Sequence, residues 1–281
     1  MTTSSSLREA RQALGQRLRE IRQDAGLTAR ALADLAGWHE SKCSRLEHGR
    51  TPPSDDDIRA WTRACMAEDQ AEDLIATARG IAGMYVEWRR MERSGLRRVQ
   101  ESVFPLWERT RKFRAYSSWL IPGPIQSADY IFALLSSIRD WHAIPDDVEA
   151  AVQVRLRKQQ FLRDGRRHFF ILLEESALRY KIGGAETLRD QLLHLLDVMS
   201  LQNLRLGVIP FSGERSKFSP VEDFWLFDDA QVNVELVSAY LTITQPREIA
   251  MYADTFGQMA ELAVYGDTAR ALITAAIDEL A

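Results

Sequence analysis

Residues 27–53 constrain the fold of this chain more than any other stretch. They read LTARALADLAGWHESKCSRLEHGRTPP and open with Thr28, a polar residue of the type that caps a helix. Apolar residues then recur at helical spacing until Gly37, which is typical of a turn after a helix. The apolar face of this helix is predicted to consist of Leu32, Ala33 and Leu35. The pattern therefore predicts a short amphipathic helix that ends in a tight turn.

A second short helix is predicted directly after that turn, from about His39 to His48. Cys43 and Leu46 are spaced to face a core, and most of the remaining positions are polar or charged. Two short helices joined by a Gly-containing turn form a helix-turn-helix, in which the second helix enters the major groove of DNA. The stretch therefore favours DNA binding.

Three further helices are predicted around this pair, which makes an all-α domain of five helices. The first runs from about 7 to 24 and is followed by Gly26, and another begins after a cap at Ser54. The last covers about 68–79. The residues predicted to be buried on these three helices are Leu14, Leu18, Ile21, Ile58, Trp61, Cys65, Ala71, Leu74, Ile75 and Ala78.

The charge distribution suits a molecule with one DNA-facing surface. The chain carries 36 Lys and Arg against 40 Asp and Glu, and its net charge of −4 does not indicate a protein that coats nucleic acid. Basic residues nevertheless concentrate in the first fifty positions, and acidic residues follow between 55 and 73.

Cysteine content and hydropathy exclude two other classes of protein. The two cysteines, Cys43 and Cys65, fall at predicted core positions outside any metal-ligand spacing, which excludes a disulfide scaffold. No apolar run approaches the ~20 residues that cross a bilayer. The first residues lack the apolar segment of a secretion signal, so we expect a cytoplasmic protein that does not enter a membrane.

Four positions in the five-helix domain match a family pattern that runs Leu-x-x-x-Arg and ends in Glu-x-Gly. They are Leu18, Arg22, Glu47 and Gly49. The domain resembles the phage-repressor-like (XRE/Cro) family of helix-turn-helix domains. The resemblance implies a salt bridge between Arg22 and Glu47 beneath the second, recognition helix.

The same resemblance implies which side chains meet double-stranded DNA. Its base-reading positions are Glu40, Ser41, Lys42 and Arg45, and its backbone-contacting positions lie near Thr28, Ser44, His48 and Arg50. Arg30 and His39 complete the set, and His39 stands where a Ser or Thr cap is usual, which is expected to weaken that cap.

The base-reading residues differ in what they can recognise. Arg45 suits guanine O6 and N7, Lys42 suits a base or a phosphate, and Glu40 accepts from cytosine N4 but repels phosphate. For each residue alone the alternative is a solvated helix face.

An aromatic and basic stretch between 84 and 114 separates this domain from the rest of the chain. It can be read as a second nucleic-acid surface, but charge runs are usually solvated faces. We interpret it as a linker helix at 83–98 with a break at Ser94-Gly95, between a DNA-binding domain at 1–82 and a second domain at 99–281.

The second domain mixes strands and helices. Strands are predicted at about 113–120 and 168–175 and within the segments NLRLGVIPF, DFWLFD and QVNVELV. Helices are predicted at about 128–138, 146–162 and 185–199, and a helical region follows Pro246. This pattern predicts an α+β domain with a small sheet packed against helices, and hence an α+β chain overall.

Several blocks of this domain match another family. They are Ile121-Pro122-Gly123 with Gln126, the helical set Arg155, Lys158 and Gln159, Glu174-Glu175, Gly183-Gly184 and Ile209-Pro210-Phe211. The region resembles the actinobacterial DUF5753 domain, which lies C-terminal to a helix-turn-helix of this type. The resemblance implies a transcriptional regulator of development or specialised metabolism, and a small DUF397-type protein as its partner.

No set of residues predicts catalysis. The five histidines are scattered, Gly183-Gly184 alone predicts a turn, and the adjacent Glu174 and Glu175 should point to opposite faces of a strand. We therefore expect no enzyme, no cofactor and no metal. The tryptophans at 107, 119, 141 and 225 can line a pocket, but core packing is more usual, and we expect them to pack in the core.

One partner or ligand site is a candidate in the second domain. Arg155 and Gln159 share a helical face, with Lys158 beside them, and can hold an acidic ligand or partner group. The alternative, which we favour, is that they satisfy a carboxylate or loop carbonyl inside the domain.

Together these patterns predict a sequence-specific, DNA-binding regulator. Domains of the repressor type bind as dimers, so a homodimer is expected. Two alternatives stay open, a protein-interaction module of the antitoxin type and a metabolite sensor, each with DNA binding secondary.

Overall fold

The chain divides into two compact units, residues 1–86 and 87–281. The structure, a computed structural model, describes residues 3–87, 95–216, 219–237 and 239–280. The boundary falls inside the predicted linker helix at 83–98. Within that range Tyr85–Glu87 is a short strand, β1, which the helix prediction missed, and residues 88–94 lie outside the described part of the chain.

The first unit is all α, as predicted. Its helices are α1 (Thr3–Asp24), α2 (Ala29–Ala36), α3 (Glu40–Glu47), α4 (Asp55–Ala64) and α5 (Ala71–Met84), with a 3₁₀ turn at Glu68–Gln70. The predicted caps are present. Thr28 Oγ1 accepts from the Ala31 amide at 3.1 Å, and Ser54 forms a reciprocal capping box with Asp57.

The core of the first unit contains residues from all five of its helices. Trp61 is fully buried, and its indole Nε1 donates to the Leu18 carbonyl at 3.0 Å. Cys43, Cys65 and Leu46 are buried as predicted. The burial predicted for Leu35 is wrong, because the buried face of α2 is centred on Leu32 and Ala33 and leaves Leu35 64% exposed.

Two glycines let α1 approach the end of α3 closely. A Cβ at Gly15 would lie 2.5 Å from the Glu47 carbonyl oxygen. Gly49 adopts a φ of +63°, and a Cβ there would lie 2.8 Å from the backbone of Arg11. Only residues without side chains fit this contact, so it determines where α3 sits on α1.

The second unit is α+β, as predicted. Its strands are β2 (Lys112–Ser117), β3 (His168–Glu174), β4 (Leu204–Ile209), β5 (Phe224–Phe227), β6 (Gln231–Glu235) and β7 (Ala239–Ile243). Its helices are α6 (Leu96–Ser102), α7 (Phe104–Arg109), α8 (Ala128–His142), α9 (Val148–Arg163), α10 (Ala185–Val198), α11 (Pro246–Leu262) and α12 (Gly266–Asp278). Three-residue and four-residue 3₁₀ turns lie at Gly123–Ile125 and Glu175–Leu178.

These six strands form one mixed sheet in the order β7-β6-β5-β2-β3-β4. β2, β3 and β4 are parallel neighbours, and β5, β6 and β7 continue from β2 as antiparallel neighbours. Strand β7 is an addition to the predicted set. The stretch that the sequence predicted as one C-terminal helical region is two helices, which Ala263–Tyr265 separate.

Aromatic side chains pack on one face of the sheet. On one face of the parallel half, Phe113 stacks on Phe169 with ring centroids 4.4 Å apart, and Trp107 of α7 packs against both rings. The prediction that all four tryptophans pack in the core is confirmed only in part. Trp107 is buried and Trp225 is half-buried, but Trp119 and Trp141 are 60% and 70% exposed, since the turn after β2 and the end of α8 carry them outward.

Candidate functional site

Helix α3 is held firmly on its inner side and open on its outer side. Cys43 and Leu46 are buried in the core, whereas Glu40, Ser41, Ser44 and Arg45 are exposed. Arg45 Nη1 lies 3.4 Å from Ser41 Oγ, one turn earlier on the same outer face. The helix therefore presents a row of polar side chains whose position the core determines.

The ion pair predicted between Arg22 and Glu47 is present. Arg22 Nε donates to Glu47 Oε1 at 2.6 Å, and Nη2 donates to Oε2 at 3.1 Å, so the pair is bidentate. A third donor, Arg22 Nη1, reaches the Leu27 carbonyl at 2.7 Å. Both side chains are nearly buried, and the hydrogen bond to Glu47 raises the pKa of Arg22. One guanidinium thus joins α1, the loop before α2 and the end of α3.

His39 caps α3 although it is not the usual Ser or Thr. His39 Nδ1 accepts from the Ser41 amide at 3.2 Å and lies 2.8 Å from Ser41 Oγ. An imidazole nitrogen thus takes the role of the usual hydroxyl oxygen. At the other end, His48 Nδ1 lies 2.7 Å from the Ser44 carbonyl.

Lys42 is directed toward α4 and is the only half-buried member of the predicted DNA-binding set. Its Nζ lies 2.6 Å from Asp57 Oδ1 and 4.2 Å from the centre of the Trp38 ring. Burial acts to raise the pKa of Asp57, but hydrogen bonds from Lys42 and Ser54 outweigh it, and the pKa is lowered. The other predicted positions, Thr28, Arg30, His39, Glu40, Ser41, Ser44, Arg45, His48 and Arg50, are all exposed.

In the second unit, Gln159 serves the fold. Its Nε2 donates to the carbonyls of Gly123 at 3.0 Å and Gln126 at 2.7 Å, which holds the loop before α8 against α9. The loop-carbonyl interpretation therefore holds for this residue.

Arg155 and Lys158 have a different environment. Arg155 Nε and Lys158 Nζ both donate to one amide oxygen, Gln100 Oε1, at 3.2 and 3.1 Å. Arg155 Nη1 also reaches Gln126 Oε1 at 3.1 Å, and Lys158 Nζ lies 5.1 Å above the Trp107 ring. Gln100 was not predicted as a site residue, because nothing in its local sequence marks it as a shared acceptor.

Glu174 and Glu175 do not form a carboxylate pair. Glu174 accepts from the Tyr116 hydroxyl at 2.8 Å and pairs with Arg215, whereas Glu175 pairs with Arg179 at 3.0 Å and accepts from the Phe211 amide. Each carboxylate thus has its own structural partners. Among the residues the structure describes, no group of three or more His, Cys, Asp or Glu side chains is placed to hold a metal ion. Within the same residues, no helix is both long enough and apolar enough to span a bilayer.

Comparison with known proteins assigns both units. Residues 13–74 match a helix-turn-helix domain. Residues 105–275, more than half of the chain, match the domain of unknown function DUF5753. No curated protein matches the chain.

Among solved structures, one match is TrmBL2, which is described as an archaeal chromatin protein with a novel mode of DNA binding. It is 12% identical, with a TM-score of 0.32, over 74% of this chain and 68% of that chain. The two domain matches are the informative findings, and they agree with the two units of the structure. The chain therefore belongs to the DUF5753 family and carries a helix-turn-helix domain ahead of its DUF5753 domain.

Proposed function

We propose that this protein is a transcription regulator whose α3 reads base pairs in the major groove of duplex DNA. The observation that carries the proposal is the contrast between the two sides of α3. Its inner side is held by buried Cys43 and Leu46 and by the Arg22–Glu47 pair, while Ser41, Ser44 and Arg45 face outward. A rigid helix with a polar outer face is what direct readout requires.

The outward residues divide into two roles. Arg45 is assigned to guanine, through paired hydrogen bonds to O6 and N7, and its neighbour Ser41 supports that orientation. Glu40 is assigned to cytosine N4. The exposed Thr28, Arg30, Ser44, His48 and Arg50 are assigned to the phosphate backbone, which sets the register of the helix on the duplex.

Lys42 takes a positioning role in this proposal instead of the base-reading role that the family resemblance implies. Its ammonium group is already engaged by Asp57 and lies over Trp38, so it ties α3 to α4. His39 likewise acts through its cap on α3.

The assignment of the type of helix-turn-helix domain and of the regulated processes rests on the sequence. The motif around Arg22 and Glu47 supports an XRE-type domain, and the DUF5753 match supports an actinobacterial regulator of development or specialised metabolism. We propose a cytoplasmic homodimer without catalytic activity, which the second unit controls through a small DUF397-type protein or a ligand.

Fluorescence anisotropy on labelled duplexes tests the proposal. Wild type, Arg45→Ala and Arg59→Ala are titrated with the intergenic fragment beside the gene for this protein and with an unrelated fragment, each at two salt concentrations. Arg59 is the control, because it is an exposed arginine of the same unit that pairs with Glu72 on α4 and α5, away from α3. Specific readers discriminate by at least ~10³-fold.

We expect wild type and Arg59→Ala to prefer the intergenic fragment and Arg45→Ala to lose about 1–3 kcal/mol of that preference. Equal affinity of wild type for both fragments would contradict sequence-specific reading by the protein alone. Repeating the titration with the DUF397-type protein would then separate a co-dependent regulator from an interaction module.

A further inference from the structure

Two neighbouring cations in the second unit, Arg155 and Lys158, form no ion pair with any residue that the structure describes. Among the described residues, no carboxylate oxygen lies within 4.0 Å of a nitrogen of Arg155 or Lys158. Both cations instead share the neutral Oε1 of Gln100. By contrast, Arg157, between them on α9, is exposed and has Glu101 3.8 Å away.

The sheet beneath these cations changes from apolar to polar. Paired residues on neighbouring strands point to the same face of a sheet. Across β2, β5, β6 and β7 the paired residues are Ala115, Trp225, Asn233 and Thr242. Because side chains on one strand alternate, Glu235 and Tyr240, which pair with each other, share that face. Trp225 also packs against Trp107, with ring centroids 5.8 Å apart, so this is the face covered by α7.

Glu235 marks this region as a recess rather than a packed core. Its side chain is exposed to solvent, yet desolvation by the surrounding protein raises its pKa, and its charge interacts with those of Arg155 and Lys158. A group can be both solvent-accessible and desolvated only where protein surrounds it on several sides. We call this region, walled by Gln100, Arg155, Lys158, Trp225 and Glu235, the cation recess.

Within the cation recess, Glu235 acts on the two cations only from beyond ion-pair distance. Burial, with the positive charge of Arg155 acting in the same direction, lowers the pKa of Lys158 to about 7. Burial also lowers the pKa of Arg155. The acceptors that these cations reach are neutral, Gln100 Oε1 for both and Gln126 Oε1 for Arg155, and each cation would be more stable in water or beside an anion. Groups whose pKa values are shifted in this way cluster at functional sites.

We propose that the cation recess binds a small molecule with a carboxylate or phosphate group, and that this group bridges Arg155 and Lys158. Arg155 supplies a planar guanidinium and Lys158 a compact ammonium, which are the two groups that proteins use most for such anions. The body of the ligand lies against the half-buried ring of Trp225. A hydrogen-bond donor on the ligand reaches the carboxylate of Glu235.

A small molecule fits this recess better than a protein segment does. Its walls come from α6, α9, β5 and β6, and concave sites lined by one aromatic surface and a few convergent polar groups are typical of small ligands. The claim that such a ligand controls DNA binding rests on the proposed function. The claim that the ligand binds in the cation recess is independent of it.

Thermal shift and calorimetry on the full chain test the binding. The probes are inorganic phosphate, a nucleoside monophosphate, succinate and benzoate, and no DNA is present. The variants are Lys158→Met and Arg155→Met, with Arg157→Gln as the control on the same helix. Wild type and Arg157→Gln should bind at least one probe, and each methionine variant should bind it at least tenfold more weakly while still unfolding cooperatively.

Each outcome decides the proposal. Binding of phosphates alone or of carboxylates alone supports it and identifies the source of the anion. Equal binding by wild type and both methionine variants would overturn it, and so would the absence of binding by all four probes to wild type at millimolar concentration. If a methionine variant fails to fold, Lys158→Gln replaces it.

The same samples distinguish failure of this proposal from failure of the proposed function. Arg45→Ala should bind the probe as wild type does, because Arg45 belongs to the other unit. Probe binding without any effect on DNA affinity would retain the ligand site and remove its regulatory role.

Discussion

At the scale of single residues, Arg22 shows how one side chain defines the geometry of a recognition helix. Its three hydrogen bonds reach both oxygens of Glu47 and the Leu27 carbonyl, so a single cation satisfies groups from two segments. The Arg22–Glu47 pair was predicted through the resemblance to the XRE/Cro family, whose pattern the sequence matches at these positions. The bond to Leu27 could not be predicted, because it depends on how the loop before α2 turns.

Arg22→Leu should destabilise the first unit by about 3–5 kcal/mol, since it leaves the carboxylate of Glu47 buried and unpaired. Urea unfolding followed by circular dichroism measures this. Arg17→Leu is the control, because Arg17 pairs with Glu20 at 3.4 Å with both side chains exposed, and such pairs contribute about 1 kcal/mol or less. The double variant Arg22→Leu/Glu47→Leu should recover part of the loss. Equal effects of the two single arginine variants would contradict the assigned role.

Lys158 should make the second unit more stable as pH rises. Its pKa in the folded chain is about 7, below the ordinary value of 10.5, so between these values the unfolded chain binds more protons than the folded chain. Stability therefore increases with pH from about 7 upward. The charged groups facing Lys158 are Arg155 on its own helix and Glu235 on β6.

Lys158→Met should remove this increase and raise the melting temperature at pH 7, by about 2–4 °C for each kcal/mol gained. Calorimetric melts of wild type and variant at pH 6.5, 7.5 and 8.5 measure this change in melting temperature. Groups other than Lys158 titrate in both proteins, so their effect is removed when the melting temperature of wild type is subtracted from that of the variant. A difference that does not change with pH would contradict the lowered pKa. Greater stability together with lost anion binding is the combination expected of a functional site.

At the scale of secondary-structure elements, the contact between α1 and α3 depends on the absence of side chains. Gly15→Ala would place a methyl group 2.5 Å from the Glu47 carbonyl, where backbone cannot move aside easily. We expect a loss of about 1–3 kcal/mol by overpacking, with weaker DNA binding because α3 is displaced. Gly80→Ala in α5 is the matched control, since nothing lies within 4 Å of the added atom and helix propensity favours alanine by up to about 1 kcal/mol.

Urea unfolding and DNA titration of both glycine variants measure these effects. If Gly80→Ala destabilises the protein as much as Gly15→Ala does, the loss at Gly15 cannot be attributed to the close contact between α1 and α3.

Local signals predicted most elements well, and long-range contacts account for what they missed. Helices α2 and α4 follow from Thr28 and Ser54, whose side chains cap them. Strand β3 was predicted from its apolar run and ends one residue earlier than expected. Strand β7 was missed, although Ala239–Ile243 alternates between buried and half-buried residues, because it is short and lies just before a helical segment.

The cation recess was predictable only in part, because long-range contacts bring its residues together. Arg155 and Lys158 are neighbours on one helix and were candidates because Arg155 shares a helical face with Gln159 and Lys158 lies beside them. Gln100 and Glu235 come from elements more than fifty residues away in either direction, and only the folded sheet brings them together. The separate role of Gln159, which holds a loop, likewise depends on where Gly123 lies.

At the scale of the whole molecule, control of the proposed DNA surface by the proposed ligand site requires that the coupling between them be reciprocal. If an anion changes the affinity for DNA by some factor, DNA must change the affinity for the anion by the same factor. Coupling of this kind typically amounts to about 5–150-fold. Calorimetry of the bound probe, with and without saturating operator duplex, should give the same factor as anisotropy with and without probe. Unequal factors would mean that the two sites are not linked by one equilibrium.

The proposed dimer predicts how DNA affinity depends on the spacing of half-sites. Two recognition helices related by a twofold axis meet successive major grooves on one face of the duplex, about 34 Å apart. Inserting about 5 base pairs, half a helical turn, moves one half-site to the opposite face, where the second α3 cannot reach it. Because the second contact is intramolecular in a dimer, its loss should weaken binding by about 10²–10⁴-fold. Anisotropy with the native and the lengthened operator measures this, and a duplex with a single half-site is the control. If the lengthened duplex binds as tightly as the native operator, the full chain reads DNA as independent monomers, and the homodimer proposal is wrong.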